Sequence, residues 1–320
     1  MKLGIYGGSF DPPHLGHLKA AAFFQQTMAL SDVMIIPADE APLKQAASLP
    51  GQLRLELCRL TFPYPVSDIE VMQSGKNYTV DTLHALRKRH PTAELFLLIG
   101  TDQLGKFKQW HRWQEILQLC QVCVLQRDET SLQTDLPVRL LSGFAPVEIS
   151  STTLRGMLAQ GQAEAANYLT PKAYAHIQNN KLYLEPNLPE KRLHHSRCVA
   201  KAAEMLAHKY GADPKKARFA GLWHDCAKYF ADDLSHAGVG AEYLAHHMGI
   251  LDEEILSAVR WHTVGKENMS KLSQIVFVAD KISADRSYED IETVRELAHK
   301  DLQAATDYIL DFKRRRYAAN

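Results

Sequence analysis

Hydrophobic positions in the first half of the chain fall in short blocks separated by amphipathic stretches. Short apolar runs at 3–6, 33–37, 95–99 and 122–126, with the pair 66–67, are strand candidates, whereas 15–28, 53–60, 79–89 and 113–119 carry helical spacing. Strands that alternate with helices predict βαβ units and a parallel sheet covered on both faces. In such sheets ligands sit beyond the carboxyl ends of strands, beside helix N-termini. After Tyr183 the pattern changes. Pro186 and Pro189 mark a linker, and the segments 191–210, 214–228, 240–248, 253–261, 271–284 and 288–315 all read as helices. The expectation is an α/β Rossmann-like parallel-sheet domain over 1–185, followed by an all-α domain over 186–320.

A length of 320 residues suits two domains better than one. Lys and Arg number 37 and so do Asp and Glu, so the formal net charge is zero. That balance argues against nucleic acid or a membrane surface as a general partner, and any phosphate must be met by local groups. No apolar run has membrane-spanning length, and the N-terminal run is too short for a signal peptide. The five cysteines demand no disulfide, so the reducing cytoplasm is the expected compartment. Cys120 and Cys123 sit in an apolar run and read as core. The Lys313–Arg316 cluster reads as a solvated helix end that complements the dipole. Self-association into a homo-oligomer stays open.

The first chemistry-bearing stretch is Gly4-Ile5-Tyr6-Gly7-Gly8-Ser9-Phe10-Asp11-Pro12-Pro13-His14-Leu15-Gly16-His17. Paired glycines let a ligand approach the backbone closely. The helix that follows offers unpaired N–H groups and a positive dipole end to a phosphate, and His14 and His17 lie three apart on its first turn. The second stretch is Ile149-Ser150-Ser151-Thr152-Thr153-Leu154-Arg155. One hydroxyl suffices to cap a helix. An arginine in the first turn opposes the dipole, which is easier to understand if an anion sits there.

Together these two stretches resemble the signature motifs of the nucleotidylyltransferase superfamily, HxGH and ISSTxxR. The intervening segments Pro37-Ala38-Asp39-Glu40-Ala41-Pro42-Leu43-Lys44, Val66-Ser67-Asp68-Ile69-Glu70, Tyr78-Thr79-Val80-Asp81-Thr82-Leu83, Ile99-Gly100-Thr101-Asp102 and Trp110-His111-Arg112-Trp113 are similar, in order, to bacterial nicotinate mononucleotide adenylyltransferases. The resemblance covers about residues 1–184. One departure is Leu43, where that family has a histidine. The resemblance implies adenylyl transfer from ATP to nicotinate mononucleotide. In it His17 and His14 meet the α- and β-phosphates, and Lys44 the reacting phosphates. Ser150, Ser151 and Arg155 hold the outer phosphates, and Ile149 belongs to the nucleotide-binding set. Gly7, Gly8, Ser9, Phe10 and Gly100 follow the nucleotide, and Asp102 meets its sugar. Thr79 and Trp110 line the pyridine pocket, and Mg²⁺ bridges ATP oxygens.

The helical half is rich in histidine. His224 and Asp225 are adjacent after an apolar stretch, and burying both without a partner would be costly. Imidazole with carboxylate suits borderline divalent metals such as iron, manganese or zinc. The segments Arg192-Leu193-His194-His195, Ala220-Gly221-Leu222-Trp223-His224-Asp225-Cys226-Ala227-Lys228, Gly238-Val239-Gly240-Ala241, His262-Thr263-Val264-Gly265 and Ala279-Asp280-Lys281-Ile282 resemble HD-domain phosphohydrolases. The more specific similarity is to the bacterial group that hydrolyses diadenosine tetraphosphate symmetrically. It implies two divalent metals held by His195, His224, Asp225, His236, His262 and Asp280, with Lys228 and Arg286 reaching a substrate phosphate. The departure is the short interval between Asp225 and His236, where the family has a much longer, substrate-capping segment. Three readings of this half remain open: a dinucleotide polyphosphate hydrolase, a nucleotide sensor that regulates the first half, and a structural appendage, which the complete ligand set disfavours.

Overall fold

The computed structural model describes residues 1–39, 47–72, 77–126, 134–229, 231–232 and 235–318, with side chains as far as Lys313. The chain divides into two compact units, Met1–Met157 with Gln162–Leu182, and Leu158–Gly161 with Tyr183–Asn320.

The first unit is built on five parallel strands. These are β1 (Lys2–Gly8), β2 (Asp32–Pro37), β3 (Glu94–Gly100), β4 (Gln121–Leu125) and β5 (Arg139–Leu141). Their order is β2-β1-β3-β4-β5, and every pairing is parallel. Both faces are covered, so side chains alternate between two apolar layers with period two. On β3, Leu95, Leu97 and Ile99 pack with Val80, Leu83 and Ile116, while Phe96 and Leu98 pack with Ala21, Phe24 and Val33. The helices supplying those partners are α1 (Leu15–Met28), α3 (Thr79–Arg89) and α5 (Trp113–Leu119), joined in this unit by α2 (Gly51–Thr61), α4 (Thr101–Leu104), α6 (Ser151–Ala159), which ends past its edge, and α7 (Pro171–Asn179). The chain leaves β1 toward β2 on one side and returns as β3 on the other. The carboxyl ends of β1 and β3 therefore flank the switch point where such sheets bind ligands.

Two strand expectations are corrected. Residues 66–67 make a single parallel bridge, Ile35 with Val66, because Pro63 and Pro65 have no N–H with which to extend a ladder. The fifth strand is instead β5, which is only three residues long and begins with an arginine at the sheet edge. Cys120 and Cys123 are buried, and burial pushes their thiols up to about 12 and about 11.

The second unit is helical: α8 (Glu190–Tyr210), α9 (Pro214–Trp223), α10 (His236–Glu242), α11 (Glu253–Trp261), α12 (Lys271–Ile282), α13 (Ile291–Lys300) and α14 (Leu302–Ala318). Val199, Ala203, Phe219, Trp223, Val259, Val276 and Phe277 form its core. A Cβ at Gly221 would lie 2.9 Å from the Ala200 Cα, so glycine there lets α8 and α9 approach closely.

Three expectations are corrected here. The helix expected over 214–228 stops at Trp223, and His224 to Lys228 follow as turns. The long helix expected over 288–315 breaks at Asp301, whose carboxylate accepts from the Ala304 N–H at 3.0 Å and so caps a new helix. Lys313 is not solvated: it is half-buried, its ammonium donates to the Thr263 carbonyl, and it lies 5.1 Å from the Phe277 ring centroid. Among the described residues no helix is long and apolar enough to cross a membrane.

Candidate functional sites

β1 runs out at Gly8, and α1 opens seven residues later with His14 as its N-cap. The His14 Nδ1 accepts from the Gly16 N–H at 3.1 Å, and the His17 Nδ1 accepts from the His14 N–H at 3.2 Å. A backbone N–H can only donate, so each Nδ1 is an acceptor and the neutral ring carries its proton on Nε2. The ring centroids lie 3.8 Å apart. A Cβ on Gly16 would sit 3.0 Å from the His14 ring, so only glycine fits between the two histidines without displacing it.

The hydroxyl-rich segment opens α6. Ser150 Oγ accepts from the Thr153 N–H at 3.0 Å, and Ser151 Oγ donates to the Pro12 carbonyl at 3.0 Å. Ile149 precedes them outside any helix or strand, its N–H donating to the Val147 carbonyl at 2.8 Å. Arg155 is buried; its Nη1 donates to the Asp11 carbonyl at 2.6 Å and its Nη2 to Thr152 Oγ1 at 3.2 Å. Segments 139 and 144 residues apart in sequence are thus bound together just before His14. Lys44 lies outside the described residues.

A cavity of about 540 Å³ opens at the switch point. Of the residues singled out in sequence, Gly7, Gly8, Ser9, Thr79, Asp102 and Trp110 form its wall. The wall does not include His14, His17, Gly100 or the 149–155 segment. Phe10 is a core residue, 2 % exposed, with its ring edge-on to His17 at 5.1 Å. Sequence reasoning gave no role to Glu70, Lys106 or His111, which also line the cavity. Burial raises the Glu70 carboxyl above its ordinary range, against the Thr82 hydroxyl that donates to it at 2.7 Å. Sequence also missed Arg54. It is fully buried and donates to the carbonyls of Leu49, Ser9, Ala38 and Asp39 at 2.6–3.0 Å, which binds the loops after β1 and β2 to one side chain. An arginine within an apolar helical stretch was its only signal.

In the helical unit the six residues singled out by sequence do converge. His224 Nε2, His195 Nε2 and Asp280 form one group whose ligand atoms all lie within 4.8 Å of one another, and His224, Asp225 and His262 form another. His236 joins the second group: its Nε2 is 3.1 Å from Asp225 Oδ1 and 3.1 Å from His262 Nε2. Carbonyls and a carboxylate hold the outer ring nitrogens. His224 Nδ1 donates to Gly221 at 2.8 Å, His262 Nδ1 to Val259 at 2.7 Å, and His195 Nδ1 pairs with Asp285 at 2.7 Å. That pattern leaves the inner Nε2 atoms of His224 and His262 with lone pairs. The His224 Nε2 is buried with no hydrogen-bond partner among the described residues, an arrangement costly without a cation. The donor set and its outer supports therefore fit a divalent metal. Asp285 is the supporting residue that sequence reasoning missed.

Burial pulls His224 down to about 4. Burial alone would raise Asp225, but His224 and the neighbouring imidazoles of His236 and His262 hold it far below the usual carboxylate range. Asp280 is likewise held low despite its burial, by Lys281 and His195. Cationic groups crowd this end. Arg286 Nη2 donates to Asp280 Oδ1 at 2.6 Å, Lys281 pairs with Asp280 Oδ2, and Arg192 Nη1 is 4.0 Å from Asp225 Oδ2. Lys228 sits in the turn past α9, its N–H on the Asp225 carbonyl at 2.9 Å. Lys228 therefore lies past the end of the helix expected over 214–228 and shares no helical face with His224.

Residues 5–157 match the cytidylyltransferase-like family model, and residues 192–285 match the HD domain model. Fold and site thus define a nucleotidyl-transferring α/β domain followed by an HD domain. A probable nicotinate-nucleotide adenylyltransferase of Pseudomonas syringae pv. tomato is 32% identical over 213 residues, which cover 58% of this chain and 95% of that protein. The chain belongs to the nicotinate-nucleotide adenylyltransferase family and carries its HD domain beyond it. Over nearly its full length it is similar to a probable nicotinate-nucleotide adenylyltransferase/Ap4A hydrolase of Mycoplasma pneumoniae, 29% identical with 97% of this chain and 98% of that protein covered. Among solved structures, a predicted HD superfamily hydrolase involved in NAD metabolism from Clostridium acetobutylicum is 34% identical, with 41% of this chain and 80% of that one covered and a TM-score of 0.37.

Proposed function

We propose that the chain is a bifunctional cytoplasmic enzyme. Its first domain transfers the adenylyl group of ATP to nicotinate mononucleotide, and its HD domain hydrolyses diadenosine tetraphosphate or a related dinucleotide polyphosphate to ADP-type products. For the transferase, the observation that carries the reading is the pair of imidazoles whose Nε2–H groups are fixed as donors beyond the carboxyl end of β1.

The transfer needs no side-chain nucleophile. A phosphate oxygen of the mononucleotide attacks the α-phosphorus of ATP, the new P–O bond forms, and the bond to the pyrophosphate oxygen breaks. Catalysis is then positioning plus charge neutralisation. His14 and His17 donate to the α- and β-phosphates, Lys44 meets the reacting phosphates, and Ser150 and Ser151 lie along the outer ones. Arg155 acts by holding the Asp11–Pro12 segment. Thr79 and Trp110 frame the pyridine ring, Gly7, Gly8 and Ser9 admit the nucleotide backbone, and Asp102 meets a ribose. Mg²⁺ accompanies ATP and neutralises its phosphates.

For the HD domain, the carrying observation is the convergence of His195, His224, Asp225, His236, His262 and Asp280. Two divalent transition metals, when bound, supply charge neutralisation and an activated water. Arg192, Lys228, Lys281 and Arg286 hold the polyphosphate of the substrate. The sensor reading draws on the ten residues between Asp225 and His236, which leave little chain to cap a substrate.

Pyrophosphate release from ATP with nicotinate mononucleotide tests the first activity, and turnover only with another phosphate acceptor would overturn it. Bound metal together with ADP release from diadenosine tetraphosphate tests the second. Metal without any phosphate release from this or related nucleotides would favour the sensor.

A further inference from the structure

Resting on the reading of the HD site as a metal centre, we infer that the Thr263 hydroxyl oxygen is a further donor atom of that centre, on the His236, His262 and Asp225 side. Thr263 follows His262 directly, past the end of α11. Its Oγ1 lies 2.9 Å from His262 Nε2 and 3.1 Å from His236 Nε2. Those two nitrogens are 3.1 Å apart, and Asp225 Oδ1 is 3.1 Å from the first-named imidazole's partner His236 and 3.3 Å from His262. Four donor atoms from three elements of the chain therefore share five contacts between 2.9 and 3.3 Å.

Two hydrogen bonds, from the Thr263 hydroxyl to His262 and from His236 to Asp225, would satisfy all four atoms but leave three further contacts of 3.1–3.3 Å with no proton of their own. In its neutral form His262 has its one proton on Nδ1, where Val259 accepts it. Ionised Asp225 carries none. The Thr263 hydroxyl and His236 Nε2 bring at most one proton each, so two protons would have to serve five contacts. A central cation serves all of them. Donor atoms about 2.1 Å from one ion are about 3.0 Å apart at a right angle and about 3.4 Å apart at a tetrahedral one. Four of the five observed separations fall in that interval, and the fifth, 2.9 Å, lies just below it. The hydroxyl is also held in place: the Lys313 ammonium donates to the Thr263 carbonyl, which fixes the backbone from which it projects.

The test uses the full chain, stripped of metal and titrated with Co²⁺, whose visible absorption reports the number and type of donors. The comparison is between wild type, Thr263→Val and Thr263→Ser, with folding checked by circular dichroism. The inference expects Thr263→Val to bind at least about tenfold more weakly with altered visible bands, and Thr263→Ser to restore both affinity and spectrum. Thr263→Ala serves in place of valine if the latter does not fold. Wild-type affinity and spectrum in the folded valine or alanine variant would overturn the inference alone. Loss in the serine variant equal to that in valine would also overturn it, since the hydroxyl would not be the group that matters. A wild-type chain that takes up no Co²⁺ would overturn the metal reading itself.

Discussion

His14 and His17 cap one another: each ring accepts through Nδ1 a backbone N–H of the same helix start, at 3.1 and 3.2 Å. The cap does two jobs at once. It satisfies two of the N–H groups that begin α1, and it fixes the tautomer that turns both Nε2 atoms into donors. The jobs are separable by substitution. Asparagine is a strong N-cap with no group at the Nε2 position. His14→Asn should therefore keep unfolding stability within about 0.5 kcal/mol while adenylyl transfer falls about 100-fold. His14→Ala should lose both, with stability down by about 1 kcal/mol. Chemical denaturation alongside pyrophosphate release measures the two; equal turnover in the asparagine variant and wild type would refute the donor role.

Arg54 is the scaffold beneath that site. Its guanidinium is 1 % exposed and serves four carbonyls, two of them in the loop after β2 and one in the loop after β1. Lysine keeps the charge but presents one ammonium where a planar fork is needed. Arg54→Met leaves buried carbonyls unpaired and should cost about 3 kcal/mol or more; Arg54→Lys should cost less but still lower the melting temperature by several degrees. Thermal unfolding monitored by circular dichroism reads the difference.

What was legible in the sequence follows the physics of each element. The βαβ alternation, the parallel sheet and four helices of the first half were readable because buried strands and amphipathic helices leave strong periodic signals. β5 was not, since three edge residues beginning with arginine carry no such signal. The break between α13 and α14 depends on one capping carboxylate, Asp301, within an otherwise helical pattern. Motif histidines and aspartates were visible because their chemistry is rare in apolar surroundings. Arg54, Asp285 and Thr263 were not: each acts through groups distant in sequence or through backbone carbonyls, and only the folded chain brings those together.

Lys106 is the only lysine or arginine in the described wall of the first cavity, which it shares with Trp110, Tyr78 and His111. A substrate carboxylate beside Trp110 gains from that cation; a carboxamide does not. A partly exposed pair of this kind contributes about 1 kcal/mol, or about fivefold. Lys106→Met should lower kcat/KM for nicotinate mononucleotide about fivefold and leave the nicotinamide form unchanged, so that the acid-to-amide ratio drops. Parallel loss for both acceptors would show that Lys106 does not read the ring substituent.

Metal removal should expose His224 to acid. Burial holds its imidazole at about 4 in the folded chain, against 6.5 when unfolded. Between those values the unfolded chain binds a proton that the folded chain refuses, so stability is full above pH 6.5 and falls as the pH drops toward 4. The whole window is worth about 3 kcal/mol. His195 works in the other sense, since its pKa is raised: burial opposes the shift, but Asp280 more than offsets it. The metal-free wild type alone therefore mixes the two. Subtracting the stability curve of metal-free His224→Gln isolates the first. Wild type minus variant, measured by urea unfolding at successive pH values after chelation, should decline steadily from pH 6.5 to 4, and two parallel curves would mean that His224 is not kept neutral by its burial.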